Sequence, residues 1–203
     1  LSSLNKSIRG ELLEADREKI GLKDRQTVWL DIEEFRKLLS VPKGHAHPND
    51  QACSDCLHSL EEAIQLYRGD FLEGFNLGDC IEFDEWQFLQ SESLRQEFTG
   101  ALQRVAEGYA TFSNWEQAIL YTRRWVAQDR LHEPAQRFLI YLYEQAGQHI
   151  ASLRQYDELS RILQEELGQK PNPETTALYQ KILDESATTT PDRIKEHQQE
   201  TAG

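Results

Sequence analysis

An internal repeat is the feature that most constrains the fold of this chain. The segment WEQAILY at residues 115–121 is similar to LEEAIQLY at residues 60–67, and HIASLRQY at residues 149–156 is a weaker copy. Ala118 and Ala151 are 33 residues apart, which is close to the tetratricopeptide period of about 34. In a helix–turn–helix repeat, helix B packs so closely on helix A at one point that only a small side chain fits there. The repeat therefore predicts stacked helix pairs, with an ordinary helical bundle as the alternative.

Apolar residues at helical spacing predict helices along most of the chain after residue 56. Tyr109 and Leu142, each nine residues before Ala118 or Ala151, are expected to fill the face of helix A. Strand-like composition is confined to residues before Asp31, so the predicted fold class is mainly α. The predicted helices cover residues 57–67, 83–112 (one long helix or two joined ones), 115–128, 134–145, 150–167 and 173–183.

The first 40 residues have a different pattern from the rest. Short apolar runs at residues 12–13, 20–22 and 28–30 have the composition of strands. Asp31, with Glu34 three residues later, is a capping signal for a helix that follows. Before these runs, Leu1, Leu4 and Ile8 have helical spacing. A helix, then a hairpin, then a strand is the order expected of the C-terminal half of a winged helix, and a small α+β appendage is the alternative.

The charge distribution indicates that most of the chain binds protein rather than nucleic acid. The net charge is −13, from 22 Lys and Arg against 35 Asp and Glu. The first 40 residues hold eight of each sign, so residues 41–203 carry the whole acidic excess, and such a surface repels phosphates.

The sequence contains no apolar run of about 18 residues, so it predicts no membrane span. The low and odd count of three Cys favours a reducing compartment, so we expect a cytoplasmic protein.

One loop carries residues at metal-ligand spacing. His45 and His47 are followed by Cys53 and Cys56, and two imidazoles with two thiolates can close a tetrahedral zinc site. The Cys pair lies where the loop is expected to enter a helix, and a helix N-terminus favours thiolates. These four residues are the candidate zinc site, with His58 as a spare ligand. A solvated loop with reduced thiols and a redox-active Cys pair are the alternatives.

Sequence signatures of enzymes are absent from the chain. It contains no G-x-x-x-x-G-K-[ST] phosphate loop, no G-x-S-x-G elbow and no H-E-x-x-H helix. Acidic pairs such as Glu61-Glu62 and Glu165-Glu166 are typical of solvated helix faces. We therefore expect that the protein is not an enzyme.

Several segments resemble a known family. LYRGDFLEGF at residues 66–75, followed by FDEW at residues 83–86, is similar to the signature of the bacterial transcriptional activator domain. YDEL at residues 156–159, EELG at residues 165–168 and PNPET at residues 171–175 resemble the C-terminal end of that domain. The resemblance extends over residues 10–184 and implies a tetratricopeptide-like helical domain that serves for protein contacts in transcription activation.

Such domains occur in SARP-type and related bacterial regulators, where they follow a winged-helix DNA-binding domain, and DIEEF at residues 31–35 resembles the usual junction. The resemblance implies RNA polymerase, other domains of the parent regulator or a second copy as partners. DNA contact is expected only through the complete winged helix, with Arg17 and Lys19 as candidate DNA-binding residues; a solvated hairpin of mixed charge is the alternative. A stand-alone tetratricopeptide adaptor without a role in transcription is the alternative function.

The sequence thus predicts four parts. Residues 1–40 are the C-terminal part of a winged-helix domain, residues 41–56 a loop with the candidate metal site, and residues 57–185 the tetratricopeptide-like activator domain. Residues 186–203 are polar, with three consecutive Thr and no apolar period, and predict a tail or linker.

A protein-binding groove is expected on the A helices of the repeat, because their side chains that face away from helix B line the concave side of a tetratricopeptide stack. Counting back from the two Ala positions predicts that Gln103 and Glu107 line this groove in one repeat and that Gln136, Ile140 and Tyr143 line it in the next. The mixed polar and apolar set suits an internal segment of a partner, with Tyr143 as its anchor. The alternative is that these residues only cover the core.

Overall fold

Helices make up most of the described structure. The computed structural model describes residues 13–15, 19–24, 28–44 and 53–199. The helices found there are α1 (Asp31–Gly44), α2 (Ser54–Leu66), α3 (Ile81–Thr111), α4 (Trp115–Gln128), α5 (Glu133–Gln145), α6 (His149–Leu167) and α7 (Pro173–Gln199). The predicted mainly α fold class is therefore confirmed. Among these helices, none is both long enough and apolar enough to cross a membrane.

A short antiparallel hairpin precedes the helices, as the N-terminal pattern predicts. Its strands are β1 (Leu13–Ala15) and β2 (Ile20–Leu22), and Leu13 is paired with Leu22. The third predicted strand, at residues 28–30, is wrong, because these residues form no ladder. The carbonyl oxygen of Leu30 instead accepts a hydrogen bond from Glu34 N (3.1 Å) in the first turn of α1.

Helix α1 begins at the predicted residue but ends later than expected. The side chain of Asp31 accepts a hydrogen bond from Ile32 N (2.8 Å) at the start of the helix. The helix continues to Gly44, although a loop is predicted from Ser40 onward. Val41 is half-buried, so it extends the apolar stripe of the helix beyond the predicted end. His45 and His47, in the rest of that predicted loop, lie outside the described residues.

The predicted boundary between α6 and α7 is confirmed. Gly168 ends α6 with a left-handed backbone (φ 65°), which costs Gly no steric strain. The side chain of Asn172 then accepts a hydrogen bond from Thr175 N (3.0 Å) and caps α7. The backbone of α7 stays helical to Gln199, into residues 186–203 that the sequence analysis assigns to a tail or linker. The lack of an apolar period there therefore does not stop the helix, since a helix that has already formed extends at little cost.

The helices pack as successive pairs, and each helix contacts its neighbours along the chain. Helix α1 packs on α2, α3 on α4 and α5 on α6, while α7 packs against both α5 and α6. One buried cluster joins α1 to α5, and a second lies between α4 and α5. The first contains Phe35, Leu60, Ala63, Ile64, Leu94, Phe98, Ala101, Leu102, Val105, Trp125 and Ala135, and the second contains Ala118, Ile119, Leu139, Leu142 and Tyr143.

Candidate protein-binding surfaces

The turns that join α3 to α4 and α5 to α6 have the same construction. Asn114 N donates a hydrogen bond to Tyr109 O (2.9 Å), and Gln148 N donates to Tyr143 O (2.8 Å). Both the donors and the acceptors are 34 residues apart in the sequence. Two turns with matching hydrogen bonds identify two copies of one structural repeat, which confirms the tetratricopeptide-like interpretation.

The backbone of these turns sets the register of the repeat. Ser113 (φ 55°) and Gly147 (φ 70°) occupy the same left-handed position, again 34 residues apart. The residue equivalent to Ala118 is therefore Ser152, not Ala151. The sequence alignment of the repeat was wrong by one residue because Ala was matched with Ala, whereas the position only requires a small side chain.

Burial supports this corrected register. Ala118 and Ser152 are both completely buried, whereas Ala151 is half-buried. The Ser152 hydroxyl donates to the carbonyl oxygen of Ile140 (3.0 Å), so its one polar atom is satisfied at the contact between α5 and α6. A shift of one residue turns a helix by about 100°, which is enough to exchange a buried position for an exposed one.

The same shift explains why the predicted groove fails in the second repeat. Gln136, Ile140 and Tyr143 are buried, which contradicts the prediction that they line an open groove. Gln136 receives a hydrogen bond from Gln155 (2.6 Å), and the Tyr143 hydroxyl accepts one from Arg123 (2.8 Å). These side chains hold helices together, so Tyr143 is not available as an anchor for a partner.

Arg137 and Tyr141 are the second-repeat equivalents of Gln103 and Glu107, 34 residues further along the chain. Gln103 Nε2 donates to Glu107 Oε1 (2.8 Å) on the surface of α3. Arg137 forms an ion pair with Glu174 of α7 (3.0 Å), and Tyr141 is exposed. We call these four residues, Gln103, Glu107, Arg137 and Tyr141, the repeat face.

A partly buried carboxylate bridge that the sequence analysis missed supports α3 and α4. The hydroxyl groups of Tyr109 and Tyr121 both donate to Glu61 Oε1, at 2.6 Å and 2.8 Å. The hydrogen bond to Glu61, together with burial, raises the pKa of Tyr109 from 10.0 to about 12. Burial, followed by the same kind of hydrogen bond, raises the pKa of Tyr121. The sequence signal, a Glu in a repeated segment, suggests only a solvated surface.

The Cys pair of the candidate zinc site lies at the start of α2. Cys53 is the residue before the helix, Cys56 is buried, and their Sγ atoms are 3.5 Å apart. Burial and the nearby Cys53 raise the pKa of the Cys56 thiol, opposite to the effect expected of a helix N-terminus. Within the described residues no group of three or more metal-ligating side chains occurs, while His45 and His47 lie outside them. Two thiols at this spacing fit one edge of a tetrahedral zinc site, and the site stays a prediction.

The candidate DNA-binding residues remain predictions as well. Lys19 is exposed directly before β2, a position that suits contact with a phosphate backbone. Arg17 lies outside the described residues.

Aromatic side chains of the segment between α2 and α3 pack against aromatic side chains at the start of α3. Phe71 and Trp86 meet edge to face with ring centroids 5.3 Å apart, and Phe75 contacts Phe83 in the same way at 5.7 Å. Trp29 and Phe35 lie with Phe71 around an adjacent cleft of about 450 Å³. The family resemblance covers this segment, but the sequence analysis did not consider it as a surface.

Comparison with known proteins agrees with the geometry. Residues 30–183 match the family model of the bacterial transcriptional activator domain. This segment is most of the chain, so the chain belongs to that family and is a module of bacterial transcription regulation. The resemblance stated from the sequence is thereby confirmed.

Among solved structures, Mycobacterium tuberculosis EmbR in complex with low affinity phosphopeptide has a similar fold, with a TM-score of 0.61 and 19% sequence identity. The match covers 91% of this chain and 48% of the EmbR chain, so this chain spans about half of that protein. No curated protein sequence matches the chain.

Proposed function

We propose, since the chain belongs to the bacterial transcriptional activator domain family, that it is the protein-interaction module of a DNA-binding transcriptional activator. It has no catalytic role and acts in the cytoplasm. It contacts RNA polymerase, other domains of its parent regulator or a second copy through the surface of its helical repeat. The similarity to EmbR supports the fold alone, because the two chains share only 19% sequence identity.

The observation that carries the proposal is the family match over a stack of helix pairs, in which two of the four residues of the repeat face are exposed. Glu107 and Tyr141 are exposed on equivalent positions of successive A helices. Stacked repeats of this kind form continuous surfaces for partner proteins. The net charge of −13 further favours a protein partner, because it repels nucleic acid.

DNA binding belongs, in this proposal, to a complete winged-helix domain. The hairpin that precedes α1 supports residues 1–40 as the C-terminal part of such a domain. Arg17 and Lys19 are proposed to contact DNA phosphates there.

The test is a binding assay between the purified chain and two candidate partners, bacterial RNA polymerase and the rest of the parent regulator. We expect at least one of them to bind. The double variant Glu107→Lys/Tyr141→Asp changes the repeat face and should weaken binding by about tenfold or more, the loss typical of an interface centre.

The matched control is Ile150→Asp/Glu166→Lys, which makes the same kinds of change at exposed positions of α6. It should bind like the parent, and both variants should melt at the parent temperature. Binding of neither polymerase nor regulator, together with a monomeric chain in sedimentation, would instead favour the stand-alone adaptor. Equal loss in both variants would reject the repeat face as the contact.

A further inference from the structure

The N-terminal half of α3 extends beyond the helix pairs. Helix α3 has 31 residues, against 13 in α2 and 14 in α4, which makes it about 46 Å long. Its buried residues begin at Leu94. Residues 81–93, which we call the α3 projection, therefore lie outside the buried core that the other helices share.

One face of the α3 projection packs against the segment between α2 and α3. Phe83 and Trp86 contact the aromatic rings of Phe75 and Phe71. On the same side, Gln87 Nε2 donates hydrogen bonds to the carbonyl oxygens of Phe71 (3.3 Å) and Leu72 (3.0 Å). These contacts fix the orientation of the helix and determine which side chains face away.

The opposite face carries an apolar ridge. Ile81, Phe88 and Leu89 are seven and eight residues apart, so at about 100° per residue they lie on one side of the helix. Their exposed fractions are 71%, 63% and 63%. Large apolar side chains at this spacing are typical of a helix that packs against another helix, and nothing in the described residues buries them.

Acidic side chains lie on both sides of the ridge and, at Glu85, between its members. Glu82, Asp84 and Glu85 are all exposed on the α3 projection. The stretch from Gly69 to Glu92 contains seven Asp and Glu and no Lys, Arg or His. A second copy of this chain would bring two such acidic rims together, and like charges facing each other oppose association. A basic partner would instead match both the apolar ridge and its acidic rim.

We propose that the α3 projection is a docking surface for a basic amphipathic helix of a partner protein. The partner helix places Leu, Ile or Val side chains on the ridge of Ile81, Phe88 and Leu89, and its Lys or Arg residues face Glu82, Asp84 and Glu85. This inference rests on the proposed interaction function and assigns one of its contacts to a surface separate from the repeat face.

The probe is a fluorescein-labelled synthetic helix of about 14 residues, or four turns, with Leu on one face and Lys on the other. Fluorescence anisotropy with the 203-residue chain should show binding of this peptide, while a peptide with Glu in place of Lys and one with Ser in place of Leu should bind at least about tenfold more weakly. Binding of the Leu/Lys peptide should weaken between about 0.05 M and 0.3 M salt because the charges are screened.

Paired variants then locate the site. Phe88→Ser/Leu89→Ser should weaken peptide binding by about tenfold or more, whereas Ile150→Ser, at a 68% exposed apolar position on α6, should leave it unchanged. Glu82→Gln/Glu85→Gln should weaken binding and flatten its salt dependence, whereas Asp157→Asn/Glu166→Gln removes the same charge from α6 and should not. Circular dichroism and melting curves verify that each variant is folded.

Peptide binding that Phe88→Ser/Leu89→Ser leaves intact, or that Ile150→Ser reduces equally, overturns the docking surface. A dimer of the parent protein would overturn it as well, if sedimentation shows that Phe88→Ser/Leu89→Ser dissociates the dimer while the variant still binds the peptide. The ridge would then join two copies of the chain. If the peptide fails to bind while RNA polymerase or the regulator still binds, only this inference falls. If the peptide binds and both of those partners fail, the proposed transcription function falls and the docking surface stands.

Discussion

At the scale of single residues, Glu61 ties α2 to α3 and α4 through two tyrosine hydroxyl groups. Replacing it with Ala removes the shared acceptor and leaves Tyr109 and Tyr121, both partly buried, without their hydrogen bonds. Unmet hydrogen bonds of this kind cost about 1–3 kcal/mol, so the free energy of unfolding of Glu61→Ala should fall by about that amount. Chemical denaturation measures it. Tyr141→Phe, at an exposed position, is the control and should change stability by less than about 0.5 kcal/mol.

The same bridge predicts a pH dependence. The pKa of Tyr109 is raised from 10.0 to about 12 in the folded protein, so the folded state keeps its proton longer than the unfolded state does. The stabilisation is therefore fully present below pH 10.0 and is lost as the pH rises through about 12. Ultraviolet titration of tyrosinate should show a late-ionising fraction in the parent protein. That fraction should shrink in Glu61→Gln; an unchanged titration curve would contradict the bridge.

The thiol pair at the start of α2 makes a prediction about metal content. If Cys53 and Cys56 bind zinc with His45 and His47, protein purified without chelator should contain about one zinc per chain. Zinc should be lost in Cys53→Ser/Cys56→Ser, while Cys80→Ser, the remaining Cys, should retain it. Elemental analysis measures the content. Metal-free parent protein would leave the pair as two reduced thiols.

At the scale of the elements, the repeat register is the feature with the largest consequences. Ser152 lies at the close contact between α5 and α6, while Ala151 lies beside it and is half-buried. Ser152→Leu should therefore overpack this contact and cost about 1–3 kcal/mol, and the equivalent Ala118→Leu should do the same at the contact of α4. Ala151→Leu should cost clearly less. Thermal or denaturant unfolding measures the loss of stability in each variant. A larger loss in Ala151→Leu than in Ser152→Leu would support the 33-residue alignment instead.

At the scale of the whole molecule, a stack of helix pairs transmits stability mainly between neighbours. Helix α7 is the last of the described helices and packs on α5 and α6: its Ile182 and Thr175 are buried, and Tyr179 stacks on Tyr156 of α6 with centroids 3.9 Å apart. Ile182→Ala should cost about 2–5 kcal/mol.

Hydrogen exchange should show where that stability is lost. We expect the amides of α5, α6 and α7 to lose protection in Ile182→Ala before those of α1 and α2 do. The exposed Lys181→Ala, one residue earlier, is the control and should exchange like the parent. Uniform loss of protection along the chain would show that the stack unfolds as a single cooperative unit.

The sequence by itself determined the features that local chemistry controls. Helical spacing of apolar residues, the start signal at Asp31, the cap Asn172 and the left-handed Gly168 predicted where most helices begin and end, because each acts through atoms a few residues away. The motifs at residues 66–86 and 156–175 predicted the family, which the match over residues 30–183 confirmed.

The tertiary structure decided which faces of those helices are covered. Small residues on adjacent positions, Ala151 and Ser152, look equivalent in the sequence, and only the packing of α6 on α5 shows that Ser152 is the contact. Because of that one-residue difference in register, Arg137 and Tyr141 belong to the repeat face, whereas the predicted groove residues Gln136 and Ile140 are buried. Likewise, the exposure of the α3 projection depends on the lengths of α2 and α4 beside it, which is a property of the assembled stack and not of any one segment.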